Sequence, residues 1–248
     1  MHDVVTYLEV FLIGLATGFA DLTIIVGGAI SIPLLILLGL PPHVAIATDR
    51  FGILGVTIGA AFGFLSSKKI VWRYVPVFSL LAIAGGAIGA SILVSVEPKL
   101  LTKIVGFIML AVFPLVFLKQ KTGVERKNIS NWKKLLGFVL LFLTMIYNGF
   151  FGLGGGVLTM YISTLLLGFT VIESNATTTF AWFFLSIVSL IVFTQHSIVD
   201  YQKGIFLVLG MALGGYIGAR VLLRIGEVWI KRIVSIVIAL FAIRLLFF

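Results

Sequence analysis

The sequence predicts an all-α polytopic membrane protein built as a tandem repeat. Of its 248 residues 60% are apolar and only 11% charged. Apolar runs of spanning length recur between short polar loops, and the glycine pattern of one half returns in the other. A soluble domain carries about 25% charged residues to cover its surface, so a chain with half that share has no water-facing coat. The mean hydropathy of +1.22 agrees.

Taken in order, the apolar runs lie at 4–40, 51–67, 74–96, 104–118, 135–172, 176–194, 204–220 and 233–248. Six fit single crossings, for which a helix needs about 20 residues and flanking Lys and Arg can snorkel. The runs 4–40 and 135–172 are too long for one span, marginal for two, and interrupted by glycine. Broken segments at matching positions in two halves point to a transporter's binding site, because irregular backbone is tolerated at membrane depth only where it lines a cavity.

Sliding the chain on itself by 129 residues lays Gly85-Gly86-Ala87-Ile88-Gly89-Ala90 on Gly214-Gly215-Tyr216-Ile217-Gly218-Ala219. Gly39 then falls on Gly168 and Ala47-Thr48 on Ala176-Thr177, with no gap from 39 to 105 and a register one or two residues looser upstream. The expected organisation is a first transmembrane repeat at 1–118, a basic linker at 119–134 and a second repeat at 135–248. Each half is expected to hold a re-entrant or hairpin glycine-broken segment plus three transmembrane helices.

The net charge of +9 is confined to short clusters between the apolar runs. It is therefore read as a topology signal and implies no nucleic-acid partner. Lys68, Lys69 and Arg73 form one cluster and the linker, with Lys133 and Lys134, the largest; the positive-inside rule places both in the cytoplasm. Arg220, Arg224, Lys231 and Arg232 outnumber the single Lys203 of the preceding loop, which makes the repeats inverted and puts both termini outside. Met1, His2 and Asp3 lack a basic signal-peptide start, so the first hydrophobic segment is expected to be retained. Trp72, Tyr74, Trp132, Tyr201 and Trp229, near span ends, read as interface anchors.

The first break reads Gly18-Phe19-Ala20-Asp21, Gly27-Gly28, Pro33; the second reads Asn148-Gly149-Phe150-Phe151-Gly152-Leu153-Gly154-Gly155-Gly156. Glycine runs leave amides uncovered, and with a following helix N-terminus they form a seat for an anion. Gly27, Gly28, Gly154, Gly155 and Gly156 are the candidate backbone donors. A helix start follows each break: Pro41-Pro42, with proline suited to the first turn, and Thr170 to Glu173, a capping-box pattern that makes Glu173 a cap. Just inside lie Thr48-Asp49-Arg50 and Asn175-Ala176-Thr177-Thr178, so Thr48, Asn175 and Thr177 are candidate hydrogen-bonding ligands and Arg50 the candidate cation.

Charges within the bilayer are costly enough to suggest function, which makes Asp21 and Asp49 candidates for proton coupling. Neighbouring helix positions point about 100° apart, so a direct Asp49–Arg50 bond is not expected. The glycines at four-residue spacing (Gly55, Gly59 and Gly63; Gly85 and Gly89; Gly210, Gly214 and Gly218) read as packing faces. There is no cysteine, and the three histidines are scattered, so no metal site or cofactor is expected. Nor does the chain carry a His-Glu-x-x-His motif or a Ser-His pairing, which argues against an enzyme.

Gly18-Phe19-Ala20, the stretch from Gly27 to Pro33 and that from Gly39 to Thr48 resemble the first signature of the sulfite exporter TauE/SafE family, and Gly149 to Gly156 resembles its partner signature. The resemblance covers nearly the whole chain. It implies a cell-membrane permease without cofactor, exporting or importing sulfite, sulfonates or related small organic anions, with the glycine segments near the pathway. The chain departs from the family pattern at Ile25 and Val26, at Asp21 where glycine is common, and at Asp49 where a neutral polar residue is usual.

The function expected is a secondary carrier of a small anion working by alternating access, with the lipid bilayer as its surroundings; a homo-oligomer is compatible with the sequence. The alternative is a cation channel or metal-ion carrier using Asp21 and Asp49.

Overall fold

A computed structural model of the chain describes residues 2–23, 28–101, 103–104, 107, 126 and 128–247, with side-chain surroundings up to residue 224. The fold is helical, and no strand occurs among the described residues. The helices are α1 (His2–Thr23), α2 (Gly28–Leu37), α3 (Pro42–Phe64), α4 (Val75–Ser95), α5 (Asn131–Phe150), α6 (Gly155–Leu166), α7 (Val171–Gln195) and α8 (Tyr201–Phe247). Six of them, α1, α3, α4, α5, α7 and the Tyr201–Arg224 part of α8, are long and apolar enough to cross a membrane. All but residues 104 and 107 of the expected span at 104–118, and residues 119–125 and 127 of the linker, lie outside the described residues.

The two over-long apolar runs resolve in the same way. Each holds one helix of spanning length and a short helix of 10 or 12 residues, and in the second run residues 151–154 break the helix between them. One expectation needs correction. The run 233–248 is not a separate helix: α8 continues through it as far as Phe247, since Gly226 is the sole glycine and no proline stands between 221 and 232. Tyr74, half-buried at the start of α4, meets Phe169 edge-on at 5.0 Å between centroids and packs beside Phe78 and Phe138.

Backbone features recur at the 129-residue spacing. Gly39 and Gly168 both end a helix with positive φ (90° and 78°), as do Lys68 and Ser197 (54° and 56°) in the loops that follow the next helices. Glycine takes the left-handed region without steric cost, which is why it terminates α2 and α6. The capping box at α7 forms as the sequence predicts: the Glu173 amide donates to Thr170 Oγ1 (3.1 Å) and the Thr170 amide to Glu173 Oε2 (3.0 Å).

Packing crosses from one half to the other. α1 and α3 both lie on α8, while α5 and α7 lie on α4. Phe11, Leu15 and Phe19 of α1 meet Gly210, Gly214 and Gly218 in turn, so α1 and α8 run parallel; Gly55, Gly59 and Gly63 of α3 meet Val208, Ala212 and Tyr216, so α3 does too. On the other side Gly85 meets Met145 and Gly89 meets Ile146, which aligns α4 with α5. The glycine faces are thus the helix contacts. Without side chains there the backbones approach closely enough for dispersion to hold apolar helices together in lipid, where burial of apolar surface gives no drive.

One reciprocal pair of bonds ties the ends of the bundle. The Asp200 amide donates to Thr48 Oγ1 (3.1 Å), and the Val71 amide to Thr177 Oγ1 (3.0 Å). Thr48 and Thr177 are 129 residues apart, and so are Val71 and Asp200. Each loop amide is therefore satisfied by a threonine of the other half. Thr48→Val or Thr177→Val keeps the shape but removes the acceptor, and each should cost about 1 kcal/mol; equal drops in melting temperature in detergent are the expected reading.

Asp200 also caps α8. Its Oδ1 accepts from the Lys203 amide (3.0 Å), and its Oδ2 pairs with Lys203 Nζ (2.7 Å). Burial alone would raise its pKa, but the hydrogen bonds from Lys203, the Lys203 charge and the Gln202 amide outweigh it and hold the carboxyl below its ordinary 3.8. A pKa depressed on folding stabilises fully above the unfolded value, and the contribution is lost as pH falls through the folded one. Asp200→Asn should therefore flatten the acid-side loss of thermal stability below pH 3.8 and leave its pH dependence above the carboxylate range unchanged.

Candidate functional site

The first site residues sit where α3 and α7 meet. Asp49, Ile53, Val56, Thr57 and Ala60 follow one face of α3, and Asn175, Thr178, Thr179 and Trp182 one face of α7, both at the i, i+3/i+4, i+7 spacing of a helix surface. Together with Asp21, Leu22, Gly28, Gly152, Gly154 and Gly156 they enclose a cavity of about 60 Å³, several times the ~10–15 Å³ that one water centre needs. Asp49 and Thr178, and likewise Ile53 and Trp182, are equivalent at the 129-residue spacing. The cavity therefore straddles the centre of the bundle.

The two short helices aim their starts at it. Gly28 opens α2 and Gly156 lies in the first turn of α6. Helix N-termini carry partial positive charge and uncovered amides, which favour an anion. Not every glycine of the run serves as a donor. The Gly155 amide is spent on the Gly152 carbonyl (3.1 Å), and the place of its missing Cβ is filled by the Asn148 side chain. At Gly152, with φ +81°, a Cβ would lie 2.5 Å from Arg50 Nη2. These glycines make room for two buried polar side chains. The Tyr147 hydroxyl pins the same break by donating to the Leu153 carbonyl (2.6 Å).

Arg50 and Asp49 are 1% and 2% exposed, and they turn to different partners as the helix angle requires. The Ser31 hydroxyl donates to Asp49 Oδ1, which ties α2 to α3. Arg50 Nη2 donates to the Asn148 carbonyl (2.5 Å), bridging to the break of the other half, while its Nε and Nη1 are buried without partner. Asn175 Nδ2, on the cavity wall, is also buried without partner. A buried donor left without an acceptor costs about 1–3 kcal/mol.

Of the residues singled out in the sequence, Gly28, Gly154, Gly156, Asn175, Asp21 and Asp49 line the cavity. Arg50 stands behind Gly152 rather than on the wall. Gly155 is sealed by Asn148, and Gly27 lies outside the described residues. Thr48 and Thr177 are corrected: their hydroxyls accept the loop amides of Asp200 and Val71 and lie away from the cavity. Thr178, part of the polar motif after the second break, lines the cavity as well. The residues missed are Thr57, Thr179, Trp182 and Ser31. Helical spacing from Asp49 and Asn175 finds the first three; nothing in the sequence signals Ser31. Among the described residues no group of three metal-ligating side chains forms.

The family model "Sulfite exporter TauE/SafE" matches residues 10–245. A probable membrane transporter protein of Haemophilus influenzae is 26% identical, covering 91% of this chain and 89% of its own. A probable membrane transporter protein, ORF9, of a Sinorhizobium species is 29% identical over 99% and 95%, and the probable membrane transporter protein YfcA of Escherichia coli 24% over 96% and 88%. No solved structure gives a significant match. With this match over nearly its whole length, joined to the helical bundle and its central polar cavity, the chain belongs to the sulfite exporter TauE/SafE family of membrane transporters.

Proposed function

We infer that the protein is a secondary carrier for a small anion, with sulfite, sulfonates and related organic anions as the substrate class, held in the central cavity and exposed to each side alternately. The observation that carries this reading is the unpartnered Asn175 amide on a cavity wall that also receives the starts of two half-helices. Thr178 and Thr179 stand beside it with their hydroxyls donating to the Ser174 and Asn175 carbonyls (2.8 Å each), and Arg50 offsets the two acids.

The halves, 1–118 and 135–248, are read as inverted repeats. α1 and α3 run parallel to α8, α4 turns back from α3 and runs parallel to α5, so equivalent helices of the two halves point in opposite directions. The basic end of the bundle, with Lys68, Lys69, Arg73, Arg220 and Arg224, faces the cytoplasm under the positive-inside rule, together with the linker 119–134. Asp21 and Asp49 line the cavity, and uptake of a proton by either would let an anion enter beside it. The same two carboxylates favour a second reading, a cation carrier, since hard cations take carboxylate and carbonyl oxygens.

Proteoliposomes separate these. The expected result is saturable uptake of sulfite or a sulfonate that is abolished in Arg50→Ala and reduced in Asn175→Ala. No saturable flux of any anion tested, or full flux in Arg50→Ala, would refute the assignment; divalent-cation flux lost in Asp49→Asn would favour the second reading.

A further inference from the structure

The cavity lining is lopsided. On α3 it runs from Asp49 and Ile53 on through Val56, Thr57 and Ala60, and on α7 it takes Asn175 and Thr179 beside Thr178 and Trp182. Thr57 and Ala60 lie toward the Phe64 end of α3 and Asn175 toward the Val171 end of α7. Both ends meet at the 65–74 loop, where Val71 is bonded to Thr177. The open arm of the cavity therefore points at the basic end of the bundle.

The partners of Val56, Thr57, Ala60, Asn175 and Thr179 at the 129-residue spacing are Leu185, Ser186, Ser189, Ile46 and Arg50. All five are at most 1% exposed and none lines the cavity. They lie toward the opposite end, where Asp200 is bonded to Thr48. Ser186 Oγ, like Arg50 Nε and Nη1, is buried there without a partner. Polar groups sealed in a packed interior without partners are unfavourable, and they gain partners if this region opens and admits an anion or water.

We propose that Ile46, Arg50, Leu185, Ser186 and Ser189 line a second anion-binding vestibule, closed in this structure, which opens toward the 196–200 loop when the two halves exchange conformations. The inference rests on the transport reading above. Two halves of equivalent sequence can each take the other's arrangement, and the exchange moves the open arm from one end of the bundle to the other. Asp49, Ile53, Thr178 and Trp182 stay on the wall in both states because they are one another's equivalents.

The exchange is not neutral for the ligand. Where the open arm offers the Thr179 hydroxyl, the closed one offers the Arg50 guanidinium, a planar fork suited to two oxygens of an oxyanion. The face at the 196–200 loop thus meets the anion with charge, and the basic end meets it with the Asn175 amide, the Thr179 hydroxyl there donating to the Asn175 carbonyl (2.8 Å).

The chain has no cysteine, so single cysteines report without background. A charged, membrane-impermeant thiol reagent is applied to one side of membrane vesicles at a time. It should modify Ser186→Cys and Ser189→Cys from the side that modifies a His196→Cys reference, and Thr57→Cys from the side that modifies Lys69→Cys. Modification of Ser186→Cys and Ser189→Cys from the Lys69 side, or from neither side while Thr57→Cys reacts fully, overturns the second vestibule. Flux assays on the same preparations keep the two readings apart. Saturable sulfite or sulfonate flux with unreactive Ser186→Cys and Ser189→Cys removes the vestibule and leaves transport standing; absence of flux for every anion tested removes the transport reading itself.

Discussion

Arg50→Gln should destabilise the protein by about 3–5 kcal/mol, the cost of removing one member of a buried charge constellation, and adding Asp49→Asn should return part of that loss. Arg50 is 1% exposed, and Asp49 and Asp21 both lie within the field of its charge. Taking it away leaves carboxylates in an apolar interior where an uncompensated charge is expensive. Glutamine ends two bonds short of Nη2 and so gives up the Asn148 bond together with the charge, which leaves the double variant to isolate the charge. In the double variant the adjacent acid has become a neutral amide that still accepts from Ser31. Thermal unfolding of the detergent-solubilised single and double variants measures the coupling. Plain additivity of the two losses would mean that Arg50 acts through its packing and the Asn148 bond, and that its charge is not needed for the fold.

The sequence made the architecture legible because lipid removes most alternatives. An apolar run of about 20 residues between basic clusters can only be a helix across the bilayer, and repeated glycines can be aligned by eye. The lengths of 4–40 and 135–172 announced the two breaks for the same reason. The helix start expected at Pro41-Pro42 places Asp49 and Arg50 inside α3, as found, but not the Ser31 hydroxyl and Asn148 carbonyl that they bond. Those partners come from α2 and from the other half, and no local pattern reveals a contact 98 residues away. Thr48 and Thr177 show the limit differently. Their matching positions were visible, but matching positions arise both at a binding site and at a symmetric pair of structural bonds, and only the geometry tells these apart. The glycine run of the second break was read as a row of exposed amides. Two of its members instead vacate space for Arg50 and Asn148, a role that depends on what lies opposite rather than on glycine's own freedom.

The same dependence on what lies opposite predicts a graded glycine series with the largest effect at the contact of α3 and α8. A Cβ at Gly55 or Gly59 would fall well under 3.0 Å from the carbonyl oxygens of Val208 and Ala212. These are backbone atoms of a helix that also carries α1, so neither can yield by a rotamer change, and the helices must separate along their shared face. Overpacking costs about 1–3 kcal/mol where side chains can adjust; here it should exceed that range for each single change to alanine, and Gly55→Ala with Gly59→Ala should yield no monodisperse folded protein. Gly39→Ala tests backbone strain alone, because nothing lies within 4 Å of its Cβ but its φ is +90°, and it should lose about 1–2 kcal/mol. Gly28→Ala meets its nearest atoms at 3.9 Å with no φ penalty and should melt with the wild type, even though Gly28 lines the cavity. Size-exclusion profiles and melting temperatures in one detergent give the order. If Gly59→Ala proved as stable as Gly28→Ala, the close parallel packing of α3 on α8 would be wrong, and with it the helix directions on which the inverted arrangement of the halves depends.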